Sequence, residues 1–414
     1  MNTGLDRPLR LVPQVRHYDW GTRDFIPRLC GREPGDLPEA ELWFGAHPDA
    51  PAGVVLESDP EATRASRPHR DSIPLNRLIA EHRVEVLGSG STGTELSFLT
   101  KILSAARPLS IQAHPSREQA VRGFAAETGT RPVTSGDRNY RDPNPKPELL
   151  YALTPFSALS GFRPAAEATQ LLSALGLERL RPSIHRLESE GTAGYRPLLE
   201  QLHRHTGTDL AAATVHAARR ASTTDDPNCR EAMRWVVRIA AHHSDDPLVI
   251  APLFLRLIRL DPGEALFTGA GVPHSYLEGS AVEVMANSDN VLRLGLTSKH
   301  VDAAELLDIL VYEAAEAPLI EPLVDEEPWG TQFRFQPPVD DFRLDVLHLV
   351  DEGEAPLGPD GRARIVLALE GAVEVRYTSG SKNLRPGQAL FLPAAATAVT
   401  ATRRGTLAMT TSNN

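Results

Sequence analysis

An eight-residue segment that occurs twice constrains the fold of this chain more than any other feature. Leu260-Asp261-Pro262-Gly263-Glu264-Ala265-Leu266-Phe267 returns as Leu384-Arg385-Pro386-Gly387-Gln388-Ala389-Leu390-Phe391, with six identities in eight positions. A Pro-Gly pair sets a turn, and the apolar run after it reads as a strand. Both copies sit in β-rich surroundings, so a duplicated β unit is expected. Short antiparallel strands limit their exposed edges by closing into jelly-roll barrels. The offset between the copies carries His274 onto Ala398. The two units are therefore expected to differ in chemistry.

The rest of the chain fits around that duplication. Phe342–Val350, Ala363–Leu369, Ala372–Tyr377 and Gln388–Leu392 read as strands, with turns at Glu370-Gly371 and Ser379-Gly380. Toward the N-terminus, Leu9–Val15, Glu41–Phe44 and Leu109–Gln112 are short β-like runs. Between Pro164 and His243 the period changes. Ala166–Leu172, Tyr195–His205, Asp209–Ala221 and Arg230–His242 carry helical spacing, punctuated at Gly176, Gly191 and Asp225-Asp226-Pro227-Asn228. The expected class is mainly β with an α-helical insertion. The expected divisions are 1–162 with 250–325 as a discontinuous first unit, 163–249 as the helical insertion, and 326–414 as a C-terminal barrel without metal ligands.

Three segments supply the side chains that carry chemistry. Gln112 and His114 stand two apart in Leu109-Ser110-Ile111-Gln112-Ala113-His114-Pro115, so on a strand both leave one face. Lys146-Pro147-Glu148 presents a carboxylate at the end of Asp142–Pro147, where three prolines in six residues rule out helix. Gly271-Val272-Pro273-His274 presents a second imidazole. Two His, one Glu and one Gln form an N/O ligand set that suits zinc without cysteine. Only Cys30 and Cys229 occur among 414 residues, which argues against a disulfide framework and for a reducing cytoplasm. A net charge of −11 argues against nucleic-acid binding. With no long apolar run and no signal-like start, membrane insertion and secretion are not expected.

These motifs, in their order, identify a resemblance to the type I mannose-6-phosphate isomerases. It rests on Tyr18-Asp19-Trp20-Gly21, Glu41–Pro48, Phe98–Pro115, Asn144–Glu148, Ala152–Phe156 and Ser160–Pro164. It continues through Pro273–Leu277, Met285–Val291, Arg293, Gly295-Leu296-Thr297 and Lys299. The resemblance implies two cupin-type barrels plus a helical domain, and one zinc ion per chain held by Gln112, His114, Glu148 and His274. It also implies interconversion of mannose 6-phosphate and fructose 6-phosphate. Arg293 is then the expected catalytic cation, with Lys146 and Glu283 as further catalytic candidates. Ser110, Lys101, Lys299 and Tyr276 are the expected substrate contacts, and His47 is expected to be a structural turn histidine. One position departs from the pattern: the family's Asn-His-Lys-Pro-Glu reads Asn144-Pro145-Lys146-Pro147-Glu148 here. An obligatory proton-transfer role for that imidazole is therefore in doubt.

Moving a proton between C1 and C2 builds negative charge on oxygen, which a divalent metal stabilises as a Lewis acid. A guanidinium is a poor base at neutral pH, so an electrostatic role suits Arg293 better than proton abstraction. The partner is expected to be a small sugar phosphate, and the chain a monomer. Two other readings use the same residues: an iron-dependent cupin oxygenase, and a non-catalytic sugar-phosphate binder.

Overall fold

Both copies of the repeated segment fold into the same turn. Gly263 and Gly387 take positive φ, +99° and +78°, in the left-handed region that glycine enters without steric cost. The Glu264 side chain accepts the Asp261 amide at 2.7 Å, and Gln388 accepts the Arg385 amide at 3.0 Å. Both substitutions are thus neutral to the turn, since one position uses only its backbone and the other needs only a side-chain oxygen. The following strands, Ala265–Thr268 and Ala389–Leu392, run antiparallel to Glu148–Ala152 and Arg364–Gly371. In this register Glu148 lies opposite Thr268, and Arg364 lies opposite Leu392. The acid of the first unit therefore corresponds in place to an arginine of the second.

The computed structural model describes residues 4–56, 72–91, 93–130, 132, 136–206, 209–314 and 318–413. It is mostly sheet with helices between. One ten-stranded sheet system is built around His274–Ala286. The first part of that strand pairs with Phe156–Phe162, and its second part pairs with Phe98–Ala105 and Glu148–Ala152. The change of partners occurs at Gly279, with φ +122°. A Cβ there would meet the Phe156 ring at 2.6 Å and the Pro155 carbonyl at 2.8 Å. Glycine therefore lets one strand turn the corner between two sheet faces.

Six C-terminal strands and three N-terminal ones form a nine-stranded sheet, covered by a four-stranded one, with Val366, Val373, Leu390 and Leu407 in the core between them. The expected run Leu9–Val15 breaks at Pro13, which has no N–H for a ladder. Leu9–Val12 joins the nine-stranded sheet opposite Phe391, and Gln14–Arg16 joins the ten-stranded system opposite Trp43. Gly53–Val55 and Ser72–Pro74 extend the nine-stranded sheet beyond Leu9–Val12. Three N-terminal strands thus hydrogen bond with the C-terminal sheet.

The helices Ala165–Ser173, Arg181–Glu190, Tyr195–Arg204, Leu210–Ala221 and Pro227–Ala240 share one apolar core with Ile111, Ala113, Leu292 and Leu294. The helical block therefore backs the strands that carry Gln112 and Arg293, whose side chains leave the opposite face. The last of these helices begins earlier than its apolar spacing suggests. Asp226 caps the Asn228 amide at 3.0 Å and Pro227 occupies the first turn, a start that favours both residues. Among the described residues no helix is long and apolar enough to cross a membrane.

Candidate metal centre and active site

The pleat delivers four side chains to one row. Gln112 lies directly across from His274 on one side and from Arg293 on the other, and His274 lies across from Ser160. Residues directly opposite share a face, so Ser160, His274, Gln112 and Arg293 line up over four antiparallel strands. The strand itself is Ile111–Ala113, and His114 follows its last residue. Glu148 starts its strand immediately after the proline segment.

Glu148 Oε1 is 3.2 Å from His114 Nε2, and Oε2 is 3.4 Å from His274 Nε2. Gln112 Nε2 approaches His274 Nε2 at 3.3 Å, and a half-turn of the amide puts its oxygen there. Each imidazole is oriented from behind. His114 Nδ1 donates to the Asn290 carbonyl at 2.8 Å, and His274 Nδ1 donates to the Val272 carbonyl at 2.9 Å. Both Nε2 lone pairs therefore point at the carboxylate. Buried His114 Nε2 has no hydrogen-bond partner. Converging lone pairs with no proton between them repel one another, and a cation resolves the conflict. Burial, followed by the Lys146 charge, pushes the His114 pKa down to about 4, so its imidazole is the neutral form a metal needs. Burial opposes ionisation of Glu148, but the Lys146 ammonium 2.5 Å away holds its carboxyl well below the usual range.

Asn290 is fully buried and organises this centre. Its Oδ1 accepts the Arg141 amide at 2.7 Å, and its Nδ2 donates to the Asp142 and Asn144 carbonyls at 2.7 and 2.8 Å. Ser288 Oγ donates to Asp142 Oδ1 at 2.9 Å. One asparagine thus fixes the proline segment that presents Glu148 and, through its carbonyl, aims His114. Outer partners of this kind typically contribute about 10–100-fold in metal affinity. Asn290→Ala is therefore expected to weaken zinc binding by about that factor, as measured by competition with a chelating dye. Unchanged affinity would remove Asn290 from this role.

A second polar network lies behind Glu148. Lys101 and Glu283 are cross-strand partners, with Nζ 2.7 Å from Glu283 Oε2 and 3.7 Å from Glu41 Oε1. Tyr276 is buried, and its hydroxyl is 3.3 Å from Glu148 Oε2. Burial raises the Glu283 carboxyl and the Tyr276 hydroxyl. Lys101 is thus occupied by carboxylates, and Tyr276 supports a ligand from behind. His47 is also buried, and its Nε2 lies 3.2 Å from Asp289 Oδ1. Together with Asp49 these form a second group of close donors.

On the open side of the row the charges are positive. Among the described residues Arg293 has no carboxylate within ion-pairing distance, and burial followed by the Arg141 charge lowers its pKa. Lys299 is lowered by partial desolvation and then by Arg293, and its Nζ lies 5.8 Å from the Tyr18 ring centroid. Ser110 is partly exposed just before the Gln112 strand. Half-buried cations that depress one another's pKa, with Glu41 only partly offsetting the effect at Lys299, suit an anion. Sequence reasoning overlooked Arg141, whose position depends on the Asn290 contact, and it overlooked Asn290, Asp289 and Ser160 as individuals.

Residues 9–165 match the model of the phosphomannose isomerase type I catalytic domain. Over 404 residues the chain is 35% identical to mannose-6-phosphate isomerase of Escherichia coli, covering 96% of this chain and 98% of that one. It is 29% identical to mannose-6-phosphate isomerase 1 of Arabidopsis thaliana, covering 93% and 89%. Among solved structures, a variant of phosphomannose isomerase from Salmonella typhimurium superposes with TM-score 0.86 at 31% identity, covering 98% of this chain and all of that one. A zinc-bound mannose 6-phosphate isomerase gives the same TM-score, identity and coverage. Neither the oxygenase nor the non-catalytic reading finds support among these relatives.

Proposed function

The chain belongs to the type I phosphomannose isomerase family, and from that membership we infer that it is a zinc-dependent aldose–ketose isomerase interconverting D-mannose 6-phosphate and D-fructose 6-phosphate. The observation that carries the residue assignment is the convergence of two oriented imidazole lone pairs on a buried carboxylate. Arg293 stands in the same pleat row.

In this reading His114, His274, Glu148 and Gln112 hold one zinc ion. When bound, it supplies Lewis acidity to the substrate oxygens. Arg293 stabilises the enediolate, because its guanidinium is held beside the row without a carboxylate partner among the described residues. Lys146 is the group best placed to carry a proton at its Nζ, two residues before a ligand. Pro145 contributes no imidazole, so the step does not route through that position. Glu283 is engaged by Lys101 and acts through it, keeping charge balance behind Glu148. Arg141, Lys299 and Ser110 receive the phosphate, and Tyr276 supports Glu148. The two sheet systems serve as two cupin-type barrels of which the first carries the chemistry. Residues 163–249 form the helical domain between its parts, and 326–414 form the second barrel, whose sheet the N-terminal strands extend. A cytoplasmic monomer without nucleic-acid partners fits the charge and the cysteine content.

The test is an isomerase assay before and after chelation, with zinc restored. Activity is expected to fall to background and to return. A rate untouched by chelation would sink the metal assignment. The alkaline limb offers a second check. A lowered Lys299 pKa means its positive charge is lost at a lower pH than an ordinary lysine's, so phosphate affinity weakens as pH rises through that value. Lys299→Arg keeps its charge throughout. The rise of KM at alkaline pH is expected to move upward in the variant, and an unshifted limb would count against Lys299 as a phosphate contact.

A further inference from the structure

The segment that carries Arg293 to Lys299 is irregular throughout. Arg293 pairs with Gln112 and Gly295 with Ile111, so Leu294 is an extra, bulged residue. Leu296 then takes φ +57°, a left-handed conformation that costs a branched non-glycine side chain energy. Thr297 Oγ1 next accepts the Lys299 amide at 3.0 Å. Leu294 and Leu296 pack into the core of the helical block, while a cavity of about 120 Å³ lies against Leu294, Gly295 and Thr297, with His203 and Thr206 of that block across it.

One side chain hydrogen-bonds the backbone of the bend itself. Asp246, at the end of the helical insertion, accepts the Leu296 amide through Oδ2 at 2.5 Å and caps the Leu248 amide through Oδ1 at 2.9 Å. A Cβ on Gly295 would stand 2.9 Å from Leu248 Cδ1 and 3.1 Å from Asp246 Oδ2, so glycine is what permits the approach. Arg293 and Lys299 repel each other at either end of the bend. We propose that Asp246 is a positioning residue for the isomerase reaction. It fixes the left-handed turn at Leu296, and so the mutual placement of Arg293 and Lys299, from the helical insertion. This gives that insertion a part in catalysis and rests on the assignment of Arg293 and Lys299 above.

Asp246→Asn preserves volume but retains only one oxygen for two amide donors. Kinetics per bound zinc, measured well below the melting temperature, are expected to show kcat/KM for fructose 6-phosphate reduced roughly 10- to 100-fold. The loss should divide between higher KM and lower kcat, with zinc stoichiometry unchanged. Gly295→Ala, which pushes Asp246 and Leu248 apart from the bend, is expected to give the same signature. Ser183→Ala removes a hydrogen bond to Gln201 elsewhere in the insertion and is expected to lower Tm without changing either constant. Asp246→Asn that lowers Tm but leaves kcat and KM per zinc intact, alongside an inactive Arg293→Ala enzyme, would overturn the positioning role alone. An Arg293→Ala enzyme of full activity would overturn the active-site assignment, and the positioning role with it.

Discussion

Replacing Arg293 with alanine is expected to reduce kcat about 10³-fold while leaving zinc content and melting temperature near those of the parent protein. The guanidinium has no carboxylate partner among the described residues, so its removal breaks no ion pair and relieves repulsion from Arg141 and Lys299. The cost therefore falls on the reaction. Removing one preorganised donor from a site of developing charge typically costs about 10²–10³ in rate, roughly 3–4 kcal/mol. Arg293→Lys is expected to recover only part of this, because an ammonium does not reproduce the planar fork. Steady-state kinetics with metal analysis on the same samples decide the matter. A fall of less than tenfold at full zinc occupancy would move the electrostatic role elsewhere, with Lys146 next in line.

The second large effect belongs to stability and lies away from the active site. Arg364 is fully buried and donates to the Leu357 and Ala396 carbonyls and to Asp360 Oδ1. Arg364→Met is similar in length but cannot donate, so two carbonyls and a carboxylate lose their partner together. Asp360 is half exposed and stays solvated, but each buried carbonyl left without a donor typically costs about 1–3 kcal/mol. A lower urea midpoint with little change in slope is expected, while kcat and KM of the folded fraction stay at parental values. A midpoint within error of the parent would mean that the carbonyls find other donors.

Legibility in the sequence followed the range over which each feature is determined. The repeated turn is local: a Pro-Gly pair and one side-chain oxygen specify it, and both copies fold alike. The helical block was visible through its period, although the Pro227 start was masked by residues that also make turns. The metal-ligating types stood out because Gln112, His114, Glu148 and His274 combine scarce chemistry with extended backbone. Lys101 was different. It reads equally as a phosphate contact or as a strand-end cation, and only the register that sets it opposite Glu283 buries it between carboxylates. Asn290 and Asp246 were silent for a related reason. An Asn before a strand or an Asp before a short helix looks like ordinary turn or cap chemistry, and each becomes decisive only when tertiary structure brings an amide from another segment within reach.

The correspondence in register between Glu148 and Arg364 has a consequence for how the molecule meets a metal-poor environment. In the proposed reading Glu148 belongs to a site for a removable metal ion, whereas the corresponding position holds the Arg364 guanidinium, tethered to the backbone by a covalent stem. Depletion reaches only the first. Demetallation is then expected to be felt beside Gln112 and His274, while the C-terminal sheet keeps the buried Arg364 guanidinium at its corresponding position. The sheet to which Leu9–Val12 is sewn is expected to stay assembled when the metal is withdrawn.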